Sequence, residues 1–527
     1  MRVINAVTVP RGSSVKTLSL IAISVVVLLL ALVFSASINF AGPKLSLVWA
    51  GLLIGPAMLF MRLELLLWAM IVSTFFVVGV LQYFFGVPKA FWIPYLLGGV
   101  LLVRLPIDVM TQRQRLALKK RSLSAPLVMF FLLLLGLATS TAINAPGPLQ
   151  ILFGVRDYFG VLALMVLIGA GFVDSRFIQR AWTFMLWMVP LQIPAAIYQR
   201  FFVASSRVGD SPWDAVVGLF GGDPEGGGGS GMMAMFVIVM AVVALMRWRN
   251  RQIGTPFFAL VVLSALGCIA LAEVKFSFVL IPVAVALIYG RELLRKPMRS
   301  LIAFGATCVL ILGIISLYQA QFTHERSDPS KKTLSGYLEH TLVNNLDDRF
   351  VNYRTREMGR VAALRLWQAE HSFDDPMTYL LGHGIGSTKM GSFVRGEAAT
   401  KFSFRIDRSA AAIVLWDGGL FGLSCLVLLL FFAARMAFRL ARSAELDECD
   451  RALMPAMGVA AILLLLELPY QAAVANGPQT QLLLALVVGY VVMTNRKADN
   501  INRPVDGEAS AFSRGRSINM VRALARS

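Results

Sequence analysis

Long apolar stretches alternate with short polar connections along most of the chain. Inside each stretch the apolar residues run almost without interruption, instead of recurring every three or four positions as on an amphipathic helix. A helix of about 20 such residues crosses a hydrocarbon core of about 30 Å. The pattern predicts about fourteen membrane-spanning helices, over residues 18–38, 45–60, 63–85, 90–107, 125–143, 150–173, 181–202, 230–247, 255–272, 275–290, 300–319, 409–434, 454–473 and 478–494.

One connection is much longer than the others, and it divides the chain. Residues 320–408 are polar and lie between the eleventh and twelfth predicted spans. We therefore predict an all-α, polytopic membrane protein with one long outer loop domain that is largely helical. Its parts are eleven spans in 1–319, the loop domain in 320–408, three spans in 409–494 and a basic tail in 495–527.

Composition supports this class. Of the 527 residues, 57% are hydrophobic and 15% are charged, against about 25% charged residues in soluble domains. A soluble enzyme, a disordered chain and a disulfide scaffold are therefore excluded. The net charge of +19 is first explained by membrane topology, so we predict contacts with membrane lipids and no nucleic-acid partner.

Basic residues alternate between the two sides of the predicted bundle. If the N-terminus is cytoplasmic, the connection 104–124 with six Lys and Arg and the tail 495–527 with seven also lie inside. The short outer connections contain almost none, as the positive-inside rule requires. The loop 320–408 then lies outside, in the periplasm, and both termini lie in the cytoplasm of a bacterium.

The first span has a second interpretation. Ser35-Ala36-Ser37 follow it, as small residues follow a signal peptide, but its apolar run is longer than a signal core, which favours a retained anchor.

Ionisable residues within the predicted spans are candidates for function, because a charge in hydrocarbon is costly. All six of the clearest ones fall in the outer half of the predicted bundle or at its outer boundary. They are Arg156, Asp157, Glu273, Lys275, Asp417 and Glu467. Their common location on the outer side predicts an outward-facing polar cavity. The alternative is a structural role, in which Lys275 pairs with Glu273 or Glu467.

Two segments of the long loop contain candidate chemistry. Residues 347–370 have a helical pattern that would bring Arg349, Arg356 and Arg360 to one face, where guanidinium groups would bind a diphosphate. An amphipathic helix resting on anionic headgroups is the alternative.

The second segment is Gly382-His383-Gly384-Ile385-Gly386-Ser387, here called the glycine loop. Its glycines favour a tight turn that lets backbone approach a ligand. His383 is a candidate general base, because its ordinary pKa of about 6.5 suits proton transfer near neutral pH. A histidine with only a structural role in a turn is the competing interpretation.

The order of these motifs resembles the superfamily of O-antigen ligases and Wzy-type polysaccharide polymerases. The resemblance rests on Val155-Arg156-Asp157-Tyr158, on Glu273-Val274-Lys275-Phe276, and on Arg360, Trp367 and Pro376 before Leu380-Leu381-Gly382-His383-Gly384-Ile385-Gly386. Trp416-Asp417-Gly418-Gly419-Leu420-Phe421-Gly422-Leu423 completes it. The similarity covers roughly residues 125–494.

The resemblance implies an inverting, metal-independent membrane glycosyltransferase that uses a polyprenyl-diphosphate-linked oligosaccharide. Basic residues would bind the diphosphate, and a base would accept the proton of the acceptor hydroxyl. We assign substrate binding to Arg156, Lys275, Arg349, Arg356, Arg360 and Arg408, and supporting roles to Glu273, Asp417 and Glu467. No group of residues has metal-site spacing, so we predict no metal and no cofactor.

The chain departs from the superfamily at the base. Many members have His-Asn about eleven residues before the glycine that corresponds to Gly419, whereas this chain has Asp407-Arg408-Ser409. Asp407 and His383 are therefore the candidate bases, and Asp407 is nearer to the motif position. Lys275 likewise stands where members often have arginine.

The sequence predicts a polymerase of an exported surface polysaccharide, an exopolysaccharide or O-antigen, in the bacterial inner membrane. Its partners would be the lipid-linked donor, the growing glycan acceptor and other polysaccharide-assembly proteins. A ligase that transfers a finished glycan to a lipid or protein is one alternative. A flippase for lipid-linked sugars is another, although charges on one side only do not suit alternating access.

Overall fold

A computed structural model gives the fold of the chain. It describes residues 58–111, 123–204, 215–222, 229–295, 347–353, 356–391 and 394–501, with single positions between 298 and 316. The described chain is mostly helical and has almost no strand. The described residues 58–66 belong to one compact unit, and the described residues from 67 onward belong to another.

The first half of the chain folds into long apolar helices. They are α1 (Leu63–Tyr83, with a π-helical turn at Ser73–Val77), α2 (Trp92–Thr111), α3 (Ala125–Asn144), α4 (Pro148–Phe159), α5 (Ala163–Ala170), α6 (Ser175–Tyr198), α7 (Ser230–Arg249), α8 (Thr255–Ala272) and α9 (Ser277–Arg295).

The second half begins with short elements and ends with long helices. They are β1 (Val351–Asn352), β2 (Glu357–Met358), α10 (Arg360–Glu370), α11 (Pro376–Leu381), α12 (Glu397–Thr400), α13 (Ala410–Leu440), α14 (Glu448–Glu467), α15 (Ala473–Asn476) and α16 (Pro478–Ile501).

The structure confirms the helical, multi-pass class. Nine helical segments of the described chain are long and apolar enough to cross a membrane, and the part of α9 at Ser277–Gly290 is a shorter apolar helix. Three of the fourteen predicted spans lie wholly or mostly outside the described residues. They are 18–38, nearly all of 45–60, and 300–319 apart from single positions. Each of the others corresponds to one described helix, with 478–494 inside α16, except that 150–173 covers both α4 and α5.

Helix α16 lies at the centre of the bundle. Its residues from Leu482 to Val492 are almost completely buried, although a surface helix would expose one face. It packs closely against α5, and α13 packs against both α3 and α14. Helix α16 therefore contacts other helices around most of its circumference.

Helix α13 is broken at Gly419, where φ is 64° and ψ is −164°. Such a break leaves carbonyls one turn earlier without their helical donors, and in an apolar bundle these groups need other partners. The glycine loop supplies them: the His383 N–H donates to the Trp416 carbonyl at 2.8 Å, and the Gly384 N–H to the Asp417 carbonyl at 3.1 Å. The loop is thus part of the helical bundle.

The described part of the long loop differs from the prediction in one respect. The predicted helix over 347–370 is wrong in its first half, since the described residues 347–353 and 356–359 contain turns and the paired two-residue strands β1 and β2. The helix begins only at Arg360. Arg349 and Arg356 therefore do not share a helical face with Arg360, because neither residue is in a helix.

We expect Gly419→Ala to destabilise the protein by at least ~2 kcal/mol. Its φ and ψ belong to a region used essentially by glycine alone, and an added Cβ would lie 2.3 Å from the backbone oxygen of Leu380. Thermal unfolding in detergent measures the effect. Gly99→Ala in α2 is the matched control, because its Cβ would meet open space and helical Gly→Ala gains about 0.5–1 kcal/mol. Equal stability of the two variants would contradict the proposed backbone packing.

Candidate functional site

The glycine loop is held by the buried carboxylate of Asp417, whose residue is 1% exposed. Four donors surround this carboxylate. They are the Tyr158 hydroxyl at 3.0 Å, the Gly386 N–H at 3.1 Å, the Ser387 N–H at 2.9 Å and the Ser387 hydroxyl at 2.7 Å. A buried carboxylate with this many hydrogen bonds is a positioning group for the loop.

A second buried acid lies next to the first. Asp157 is 2% exposed and forms ion pairs with Arg156, at 2.8 Å, and with Lys389 of the long loop. The guanidinium of Arg156 also lies 4.8–5.6 Å from four aromatic ring centres, those of Phe91, Trp92, Tyr95 and Phe153. Arg156 is therefore enclosed by protein groups that already compensate its charge.

A histidine pair lies beside the glycine loop. His371 Nε2 and His383 Nε2 are 2.9 Å apart, and His371 Nδ1 is 2.8 Å from the Trp367 carbonyl. Since a carbonyl only accepts, His371 Nδ1 must carry the proton. When both rings are neutral, His371 Nε2 accepts from His383 Nε2–H, and His383 Nδ1 keeps a lone pair.

These histidines line an open cleft of about 340 Å³. Its lining also contains three acids, one lysine, two hydroxyl side chains and an indole. The full set is Glu370, His371, Ser372, Asp374, Asp375, Thr378, His383, Lys401 and Trp416, here called the histidine cleft. With neutral histidines the acids outnumber the cation, so the cleft is acidic.

Burial changes the proton affinity of both histidines. Loss of water around His383 lowers its pKa from 6.5 to about 4, and the nearby His371 and Lys401 act in the same direction. Burial also lowers the pKa of His371. At neutral pH the pair is uncharged, which leaves His383 Nδ1 able to accept a hydrogen bond.

Four arginines gather at the other end of α10. Arg356, Arg360, Arg405 and Arg408, here called the arginine cluster, are linked by local pairing: the Arg405 N–H donates to the Arg356 carbonyl at 2.9 Å. Arg408 Nη1 lies 2.7 Å from Glu357. Met358 and Ala362 pack on Ala412, so the N-termini of α10 and α13 lie side by side. The first N–H groups of α13 already donate to the Gln471 and Leu468 carbonyls and to the Ser409 hydroxyl.

Tyr470 connects this cluster to the predicted lysine. The Tyr470 ring stacks on Phe276, with centres 4.0 Å apart and planes at 11°, and the Arg360 guanidinium carbon is 4.0 Å from the same ring centre. The two groups must occupy opposite faces of the ring. Lys275 precedes Phe276, so its backbone lies next to the arginine cluster.

The other predicted site residues have different surroundings. Both carboxylate oxygens of Asp407 accept from Arg405 at 3.0 Å, so this candidate base is already paired. Arg349 is exposed in a turn. Glu273, at φ 50°, and Glu467 are both buried.

Sequence reasoning missed several residues that organise the site. Ser387 and Tyr158 bind Asp417 from 30 and 259 positions away, and the Ser140 hydroxyl accepts from the Gly384 N–H at 2.8 Å. The sequence around His371 contains no motif that would indicate a role for it. No spacing rule along the chain joins such distant partners.

Among the residues that the structure describes, no group of three or more His, Cys, Asp or Glu side chains could hold a metal ion. No protein-family model matches the chain. Comparison with the curated proteins finds no significant relative.

We expect Asp417→Asn to lower the free energy of unfolding by roughly 2 kcal/mol or more, because the new amide donors would face groups that are themselves donors. Thermal unfolding in detergent and limited proteolysis of residues 382–387 measure the effect. Tyr158→Phe removes one donor of four, so its cost should be about 1 kcal/mol. An Asp417→Asn variant as stable and protease-resistant as the wild type would refute the anchoring role.

The lowered pKa of His383 predicts a pH-dependent stability. Between pH 6.5 and about 4 this histidine takes up a proton in the unfolded chain before the folded one. Its contribution therefore becomes less favourable as the pH falls through this window. The thermal midpoints of the wild type and of His383→Gln are measured across that range. As the pH falls from 7, the midpoint of the wild type should decrease more than that of the variant. A difference independent of pH would show that His383 is not shielded from protonation.

Proposed function

We propose that the protein is a membrane glycosyltransferase that polymerises an exported surface polysaccharide, an exopolysaccharide or O-antigen. It joins polyprenyl-diphosphate-linked repeat units at the outer face of the bacterial inner membrane. In this proposal both termini are cytoplasmic, as the distribution of basic residues predicts. The motif resemblance supports the chemistry.

The observation that supports the proposal best is the position of the arginine cluster at one end of an apolar helical bundle. A polyprenyl diphosphate has an apolar tail and a doubly charged head, so its binding site needs hydrocarbon-facing helices next to several cations. The cluster brings four arginines to the N-terminus of α10. Arg405 and Arg408 form ion pairs with Asp407 and Glu357, whereas Arg356 is exposed and Arg360 lies over the Tyr470 ring. Forked guanidinium groups bind phosphate oxygens in pairs.

The proposed reaction is attack by an acceptor hydroxyl on the anomeric carbon of the donor sugar. A bond forms between the acceptor oxygen and this carbon, the bond from the carbon to the diphosphate oxygen breaks, and the configuration inverts. The diphosphate leaves with the electron pair, and the arginines stabilise its charge. The hydroxyl proton passes to a protein base.

His383 is the better candidate for this base. Both oxygens of Asp407 already accept hydrogen bonds from Arg405. His383 Nδ1 keeps a lone pair in the neutral histidine pair. The 11 residues of α10 separate the histidine cleft from the arginine cluster by about 15 Å. A donor sugar, its diphosphate and the arginine side chains can together bridge this distance.

A ligase would use the same donor and the same bond changes, so it remains the alternative within this class. A flippase is the alternative of another class. The Arg156–Asp157–Lys389 group argues against a gate there, because these mostly covered charges are compensated by one another.

The test is reconstitution of the purified protein in liposomes with a polyprenyl-diphosphate-linked repeat unit, followed by gel separation of the glycans. We expect a ladder of products. A single shifted acceptor would indicate a ligase, and donor lipid protected from an external hydrolase without new products would indicate a flippase.

In the same assay Arg360→Gln should lower turnover by ~100-fold, the usual order for loss of one electrostatic contact to a developing charge. Arg365→Gln is the matched control on the same helix, since Arg365 is largely exposed and pairs with Asp348. Arg360→Lys, which keeps the charge, should retain part of the activity. A fully active Arg360→Gln variant would contradict the diphosphate site.

A further inference from the structure

The histidine cleft and the arginine cluster have opposite charge, although one short helix joins them. The cleft contains Glu370, Asp374 and Asp375 against the single cation Lys401. An anionic diphosphate is attracted to the cluster and repelled by the cleft. The cleft therefore suits a different part of the substrates.

The cleft has the size and the polar groups of a ligand site. Its volume of about 340 Å³ is at the lower end of the range for small-molecule pockets, about 300–1,000 Å³. Ser372 and Thr378 add hydroxyl groups to the acids in its wall. Carboxylates accept several hydrogen bonds each, so the lining matches a molecule with many hydroxyl donors.

Trp416 contributes an aromatic wall to the cleft. Its ring stacks on His383, with centres 5.5 Å apart and planes at 26°, and the residue is 1% exposed. Aromatic side chains beside a few polar groups are typical of small-molecule pockets.

His383 adds an acceptor with a defined tautomer. Its Nε2–H is used by His371, and Nδ1 is the remaining polar atom of the ring. The cleft thus combines an aromatic wall, several anionic acceptors and one neutral acceptor. This set is complementary to sugar hydroxyls and to an ammonium group, and it opposes a carboxylate.

We propose that the histidine cleft binds the acceptor end of the glycan and selects neutral or amino sugars against acidic sugars. This inference rests on the proposed function, because it assigns the acceptor of that reaction. Sugar hydroxyls donate to Asp374 and Asp375, and the charge of these acids repels a uronic acid.

Direct binding tests the proposal without any turnover. Calorimetric titrations of the purified protein in detergent, at low ionic strength, would use three trisaccharides of glucosamine, glucose and glucuronic acid. We expect the first two to bind and the third to bind at least ~10-fold more weakly than the glucose trisaccharide, with the difference reduced in high salt. Equal or tighter binding of the acidic sugar, or no binding of any of the three, would overturn the proposal.

Charge variants of the lining should move this selectivity in opposite directions. The double variant Asp374→Asn with Asp375→Asn should reduce the discrimination against glucuronic acid at least ~3-fold, whereas Lys401→Gln should increase it. Asparagine still caps α11 at position 375, and thermal midpoints check folding. Glu397→Gln is the control, because Glu397 is an exposed acid of the same loop outside the cleft lining. Unchanged discrimination in both lining variants would refute the electrostatic selection.

The two proposals fail separately. Selective sugar binding without polymer or ligated product in liposomes would leave the cleft assignment standing and remove the glycosyltransferase. A product ladder without sugar selectivity would support the glycosyltransferase and refute the cleft assignment.

Discussion

The arrangement of the site depends on one constraint, the hydrogen bonds left open where α13 breaks. Gly419 interrupts the helix, and the carbonyls of Trp416 and Asp417 then require donors inside an apolar bundle. The glycine loop provides these donors and, in return, its own N–H groups reach the buried carboxylate of Asp417. The helix break and the loop conformation are therefore two halves of one hydrogen-bond system.

This system gives different roles to charges that look similar along the sequence. Asp157 and Asp417 are buried and Arg156 is mostly covered, and all three have protein partners, so they hold the loop and the helices together. Arg356 and the histidine cleft are open to solvent. A charge that is compensated within the protein stabilises the structure, whereas an accessible one is available to a ligand.

Helix α10 determines how the accessible charges are distributed. Its N-terminus adjoins the arginine cluster, and its last residue, Glu370, lines the histidine cleft. Packing of Trp367 against α13, with its indole N–H donating to the Leu415 carbonyl at 3.1 Å, fixes the helix on the bundle. The arginine cluster and the acidic histidine cleft thus lie at opposite ends of one helix.

The sequence by itself determined the helical class and most helix positions, because each span is a continuous apolar run whose backbone bonds are satisfied within the segment. It also indicated Asp417 and the glycine loop. Only the tertiary structure decided the partners. Asp417 is bound by residues 30 and 259 positions away. Asp407 forms an ion pair with Arg405, and His371 contacts His383, 12 positions away. The predicted helix over 347–370 failed for the same reason: a local pattern records which residues can form a helix, but hairpin pairing and contacts with distant helices decide where it begins.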